Sequence, residues 1–242
     1  MKVSLIDYTG AGSEWWAAAV LIFTKSTRLE MKPGLFEEIL EWPKDKKLME
    51  LEYMANTIPS SWEFCHYTFL IEGVTRAFTH QLVRTRTASF AQQTMRVLNV
   101  EGWDYATGPT VRESPDMCTT YDNAMGEVDK TYRNLIESGA KVEDARGILP
   151  TNILTNIVMG INLRTLAEMV RKRSSPRVQG EYREVLDQLK SEAMRVHPWV
   201  HLFLDRDFDR AARDLDEEIK GLPIPAESCT HMMKLVDQMR QS

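Results

Sequence analysis

Arg84, Arg86 and Arg96 fall in the single short stretch "RTRTASFAQQTMR", together with Thr85, Thr87, Ser89, Gln92, Gln93 and Thr94 and without any acid. A guanidinium is a planar fork of donors that suits phosphate and carboxylate oxygens, so arginines with no local acid call for an anion from elsewhere. The amides and hydroxyls between them add neutral donors and acceptors of the kind that read a base or a sugar. Two further basic groupings stand downstream: Arg146 before "GILP", and "RKRSSPR", with Arg171, Lys172, Arg173 and Arg177. Charge-assisted contacts contribute ~1.5–3 kcal/mol each, enough for these groups to hold several phosphates. The competing reading places each arginine on a solvated face in a weak surface ion pair.

The elements that must position these residues are legible from periodicity. "KVSLIDYT" reads as a strand, and "SEWWAAAVLIFTKS" reads as a helix with Ser13 as its N-cap. Lys32 to Lys47, charged and punctuated by Pro33, Gly34 and Pro43, reads as a loop with one short helix. Tyr67 to Gly73 has strand composition, and "VTRAFTHQLVRT" has helical spacing through Val74, Ala77, Phe78 and Leu82, so the arginine stretch follows a helix. Gly102 to Pro115 reads as a loop. Tyr121, Met125, Val128, Tyr132 and Leu135 mark an amphipathic helix stopped at Gly139. "ILTNIVMGIN" reads as a buried strand, followed by a helix over Leu163 to Arg173. Pro176 suits the first turn of another helix, with Val178, Tyr182, Val185, Leu189 and Val196 as its core stripe. The expected class is α+β, a mixed sheet flanked by helices.

Composition narrows the chemistry. With 242 residues, 43% of them hydrophobic, the chain can bury a substantial core. Its formal charge of −5 argues against general nucleic-acid binding. No apolar run of about 18 residues offers a membrane span, and "MKVSLIDYTG" lacks the features of a signal peptide, so the expected location is the cytoplasm. Cys65, Cys118 and Cys229 form no CxxC pair and are expected to be free thiols. His197 and His201 stand four apart, but Pro198 intervenes and no acid joins them, so no metal is expected. Dinucleotide and P-loop glycine signatures are absent, as is the nucleophile elbow G-x-S-x-G.

At the arginine stretch the sequence resembles the flavin-dependent thymidylate synthases. That family carries Arg-His-Arg, seven residues, then Ser; here Arg84-Thr85-Arg86 is followed by seven residues and Thr94. "EGVTRAFTHQLVR", "ARGILPTN" and "INLRTLAEMVRKRSSPRVQGEYRE" extend the likeness to about half the chain. Thr85 and Thr94 stand for the motif's histidine and serine, and Val97 for its usual tyrosine. "TIPSSWEF" keeps Ser60 and Glu63 of a second family segment but has Ile58 and Phe64 at its histidines.

The resemblance implies a single domain over residues 1–242 with the family's fold, assembled as a homotetramer whose sites are built where subunits meet. It implies FAD binding by Arg84, Thr85, Arg86, Ser60, Glu63, Asn162, Glu168 and Arg177. It implies nucleotide binding by Gln81, Gln92, Thr94, Arg96, Arg146 and Arg173, with Arg96 and Arg146 facing the phosphate and sugar. Catalysis falls to Arg173 against the pyrimidine ring and to Thr94, which positions the nucleotide. The implied reaction moves a one-carbon unit from 5,10-methylenetetrahydrofolate to dUMP, with NADPH as reductant. The alternatives are UMP methylation, dUMP hydroxymethylation, or a non-catalytic nucleotide-binding homologue.

Overall fold

The computed structural model describes residues 1–26, 31–96, 103–173, 180–204, 215, 218–222 and 225–241. Its strands are β1 (Lys2–Tyr8), β2 (His66–Thr75), β3 (Ser89–Gln92) and β4 (Leu154–Asn162). They form a four-stranded sheet of order β1-β2-β4-β3, with β3 antiparallel to β4 and Gln92 paired with Ile157. Ten helices enter the description: α1 (Glu14–Ser26), α2 (Leu35–Glu41), α3 (Lys44–Thr57), α4 (Arg76–Leu82), α5 (Pro109–Arg112), α6 (Pro115–Glu137), α7 (Val142–Ala145), α8 (Leu163–Arg173), α9 (Gly180–Val196) and α10 (His201–Leu204). A further helix runs over Ala226–Gln241. The combination of sheet and helices is α+β, and among the described residues no helix is long and apolar enough to cross a membrane.

The chain divides into two compact units, Met1–Ser4 with Phe69–Gly160 and Leu5–Thr68 with Ile161–Ser242. In the first, α4 starts where Thr75 caps it, its side-chain oxygen accepting from the Phe78 N–H at 3.0 Å. Val74 and Thr75, read from sequence as helical, instead end β2, and Val83 to Thr85 form the turn after α4. Val74 is buried in that strand, where its branched side chain packs readily. Helix α6 has Ser114 as N-cap and Pro115 in its first turn. It ends where Gly139, at φ 90°, lets the Gly139 and Ala140 N–H groups reach back to the Ile136 and Leu135 carbonyls. The loop expected from Gly102 to Pro115 contains α5 and a bridge from Tyr105 to Ile153; Gly102 lies outside the described residues.

In the second unit, the stretch from Lys32 to Lys47, expected as a loop with one short helix, contains the short helix α2 and, beyond that expectation, the start of α3. Lys47, Leu51 and Met54 make the buried stripe of α3, and the Lys47 ammonium donates to the Leu40 carbonyl at 2.7 Å. A lysine whose stem lies in the core reads as surface charge in the sequence. Helix α8 occupies its expected span, and Asn162 caps it by accepting from the Thr165 N–H at 2.8 Å. Tyr182, Val185 and Leu189 are buried on α9 as expected; Pro176 and Val178 lie outside the described residues.

The core of this unit also holds His197, fully buried, stacked on Trp199 at 5.0 Å, with Nδ1 3.0 Å from the Tyr67 hydroxyl. Burial pushes its pKa down from 6.5 to about 4. The unfolded chain therefore binds the proton more strongly, so the stabilisation from neutral His197 is complete above pH 6.5 and is lost as pH falls toward 4. We expect urea unfolding at pH 4.5 to reveal a loss on the order of 2 kcal/mol relative to pH 7 that a His197→Gln variant lacks. Equal pH dependence in both proteins would rule this out.

Candidate active site

The arginine loop is held at both ends by regular structure in the first unit. Val83, Arg84 and Thr85 donate their N–H groups to the Thr79, Gln81 and Leu82 carbonyls, closing α4 in a turn. Ser89 then enters β3, a short strand not anticipated from sequence because its polar residues lack a clear alternation. Arg84 and Arg86 are both exposed, and among the described residues neither has a carboxylate partner. Two uncompensated guanidiniums one residue apart are a donor set for an oxyanion.

Gln92 is oriented from beneath. Its Nε2 donates to Thr79 Oγ1 at 2.8 Å, and the fully buried Thr79 hydroxyl donates to the Arg76 carbonyl at 3.1 Å. With one amide hydrogen committed, Gln92 keeps its carbonyl oxygen and a second N–H for a ligand. Thr94 Oγ1 accepts from the Arg96 N–H at 3.1 Å, which fixes the hydroxyl beside that arginine.

Arg96 and Arg146 converge on one residue that sequence reading missed. Glu143 takes the Arg96 guanidinium at 3.2 Å through its carboxylate, while its backbone carbonyl accepts from Arg146 Nε at 3.2 Å. The Arg96 pair is exposed on both sides, so its net attraction is small and a phosphate can displace it. The only local signal for Glu143 is its place three residues before Arg146 on α7.

The second unit collects a different set. Arg164 bridges Glu63, at 2.6 Å, and Glu168, at 3.4 Å, so two expected cofactor-binding carboxylates share one cation that the sequence reading did not single out. Its spacing of four from Glu168 was the available clue. Glu168 also pairs with Lys172. Ser60 is exposed in the turn over Pro59–Phe64; Ile58, just before it, is buried and Phe64 lies largely open. Arg173, half-buried at the end of α8, has its guanidinium carbon 5.3 Å from the centre of the buried Tyr182 ring. That contact holds the planar group without spending its hydrogen-bond donors. Arg177 lies outside the described residues. The expected site residues thus fall into a set in the first unit, with Gln81, Arg84, Thr85, Arg86, Gln92, Thr94, Arg96 and Arg146, and a set in the second, with Ser60, Glu63, Asn162, Glu168 and Arg173.

Cysteine chemistry finds no support at Cys65, which is fully buried with its thiol pushed up to about 12 by burial. Among the described residues no cluster of three His, Cys, Asp or Glu side chains could hold a metal ion.

Comparison with known proteins joins these observations. Residues 4–199 match the family described as thymidylate synthase complementing protein, a span that contains every site position from Ser60 to Arg177. The chain is 31% identical over 215 residues to a flavin-dependent thymidylate synthase of Clostridium tetani, covering 82% of this chain and 84% of the relative. Proteins of the same name from Thermococcus onnurineus and Pyrococcus abyssi are 32% and 34% identical over 198 residues, covering 79% of this chain and 78% of each relative. With a match that spans both sets of site residues and most of each relative's length, the chain belongs to the flavin-dependent thymidylate synthase family.

Proposed function

We propose that the protein converts dUMP to dTMP, transferring the one-carbon unit of 5,10-methylenetetrahydrofolate to C5 of the uracil ring with NADPH as the source of reducing equivalents. The observation that carries this reading is the Arg84-Thr85-Arg86 loop. It offers two exposed guanidiniums without carboxylate partners among the described residues, followed by Gln92 and Thr94 on and after β3, within the span 4–199 that matches the family. A dinucleotide pyrophosphate and a nucleotide monophosphate are two anions, and they account for two sets of arginines.

The donor set of the loop fits FAD: Arg84 and Arg86 supply charge for the pyrophosphate and Thr85 a hydroxyl between them. Ser60, Glu63, Asn162, Glu168 and Arg177 complete its binding residues. FAD, when bound, supplies the hydride chemistry that side chains lack. Arg96 and Arg146 take the nucleotide phosphate and sugar, Arg96 exchanging Glu143 for the phosphate. Gln81 and Gln92 hydrogen-bond the nucleotide, and Arg173 places its guanidinium against a uracil carbonyl to stabilise negative charge as C5 attacks the methylene. The working unit in this reading is a cytoplasmic homotetramer of single-domain chains with the family's fold, in which subunits complete one another's sites.

Thr94 has a positioning role. Thr94→Ser is expected to keep activity, whereas Thr94→Val weakens dUMP binding about fivefold to tenfold through loss of one hydrogen bond. A covalent Thr94 adduct in mass spectra of quenched enzyme contradicts this role. The function itself is tested by incubating the purified protein with FAD, NADPH, methylenetetrahydrofolate and either dUMP or UMP. The expected result is dTMP from dUMP and bleaching of the yellow protein by NADPH; methylated UMP alone, or no product, overturns the proposal.

A further inference from the structure

Thr79, in the middle of α4, is fully buried and yet carries a hydroxyl. A hydroxyl has one hydrogen to give, and this one goes to the Arg76 carbonyl one turn back, at 3.1 Å. The Thr79 oxygen can then only accept. What it accepts is an amide hydrogen of Gln92 Nε2, at 2.8 Å.

That order of donation settles which end of the Gln92 amide is turned outward. A side-chain amide has a carbonyl oxygen on one side and an NH2 group on the other, nearly equal in shape and opposite in hydrogen bonding. With the NH2 held on Thr79, the Gln92 Oε1 is the end left over. Gln92 is partly exposed, and unlike Arg76 Nε or Thr155 Oγ1 its Oε1 is not sealed from solvent. The main chain around it is pinned already: Gln92 pairs with Ile157 on β4, the Gln93 N–H donates to the Asn156 carbonyl at 3.0 Å, and the Gln93 carbonyl accepts from Arg76 Nη2 at 2.7 Å. The freedom that remains is that of the Gln92 side chain, and Thr79 removes it.

We infer that Thr79 is a positioning residue of the nucleotide site, which keeps the Gln92 carbonyl oxygen turned toward the nucleotide so that it selects a hydrogen-bond donor there, a sugar hydroxyl or the N3–H of uracil. The inference rests on the reading of Gln92 as nucleotide-binding and adds a residue that acts through it. A glutamine without such a partner turns either end to its ligand and loses rotamer freedom when it binds. Held on Thr79, it meets the nucleotide preorganised.

The test titrates the full chain with dUMP and, separately, with FAD in the parent, Thr79→Val, Thr79→Ala, Thr79→Ser, Gln92→Ala and Thr79→Val/Gln92→Ala. Valine keeps the buried volume without the hydroxyl, alanine covers a misfit of valine in the helix, and serine keeps the hydroxyl. Thr79→Val and Thr79→Ala are expected to bind dUMP about fivefold to tenfold more weakly with FAD affinity unchanged, and Thr79→Ser to stay within about twofold of the parent. In the Gln92→Ala background, Thr79→Val is expected to change dUMP affinity by less than about twofold, because nothing is left to position. Dideoxyuridine monophosphate, which lacks the sugar hydroxyl, separates the two donors: a Thr79→Val penalty that vanishes with it identifies the hydroxyl, and one that persists identifies N3–H. Equal dUMP affinity in the parent, Thr79→Val and Thr79→Ala overturns the inference. So does a fully additive loss in the double variant, or a parallel loss of FAD, since either reduces Thr79 to a packing role. A parent that binds no dUMP overturns the nucleotide reading itself and this inference with it, which keeps the two failures apart.

Discussion

An Arg84→Ala/Arg86→Ala variant is expected to bind FAD about 10²–10⁴ times more weakly than the parent, with its fold intact. Two charge-assisted contacts to a pyrophosphate contribute ~3–6 kcal/mol together, and each 1.4 kcal/mol is a factor of ten in affinity. The lower end of the range is the better expectation, since both guanidiniums are solvent-exposed. Stability should be unaffected, because neither residue has a carboxylate partner among the described residues and the turn is held by the backbone bonds of Val83, Arg84 and Thr85. A flavin-fluorescence titration measures the first effect and a urea midpoint the second. Equal FAD affinity in parent and variant removes these two residues from the cofactor site.

Loss of Arg173 is expected to strike the chemical step as well as binding. If its guanidinium faces the uracil carbonyl, its attraction grows as negative charge builds on the ring, so the transition state gains more than the ground state. Removing one such donor typically costs about 10²–10³ in rate. The measurement is single-turnover dTMP formation by reduced enzyme at saturating dUMP, comparing the parent with Arg173→Ala and Arg173→Lys. Lysine restores charge but not the planar fork that lies over the Tyr182 ring, and should recover only part of the rate. Tyr182→Leu probes the support: it leaves the guanidinium present but loosely held, so a drop in rate without loss of folding is expected. An unchanged single-turnover rate in Arg173→Ala reduces the residue to a packing role.

The concentration of positive charge in the arginine loop was legible in the sequence because it resides in residue types at short spacing. Three arginines with no acid inside their stretch must meet water or an anion brought from elsewhere, and which of the two each meets depends on the fold. Helix α8 was equally legible, since its buried Leu163, Leu166, Ala167 and Val170 recur at helical spacing. Helix α3 was not, since a buried lysine occupies one position of its apolar stripe, and its burial rests on tertiary contacts with the Leu40 carbonyl and the Trp15 ring.

Tertiary structure alone decided which of those charges remain available. Glu143 reaches Arg96 across 47 residues and Glu63 reaches Arg164 across 101, whereas Arg84 and Arg86 meet no carboxylate among the described residues. It also placed Thr79 under Gln92 and buried Arg76 Nε, Trp103 Nε1 and Thr155 Oγ1 without hydrogen-bond partners among the described residues. The physical reason is that periodicity records which face of an element is buried, while an ion pair or an orphaned donor depends on how far apart the folded path brings distant segments.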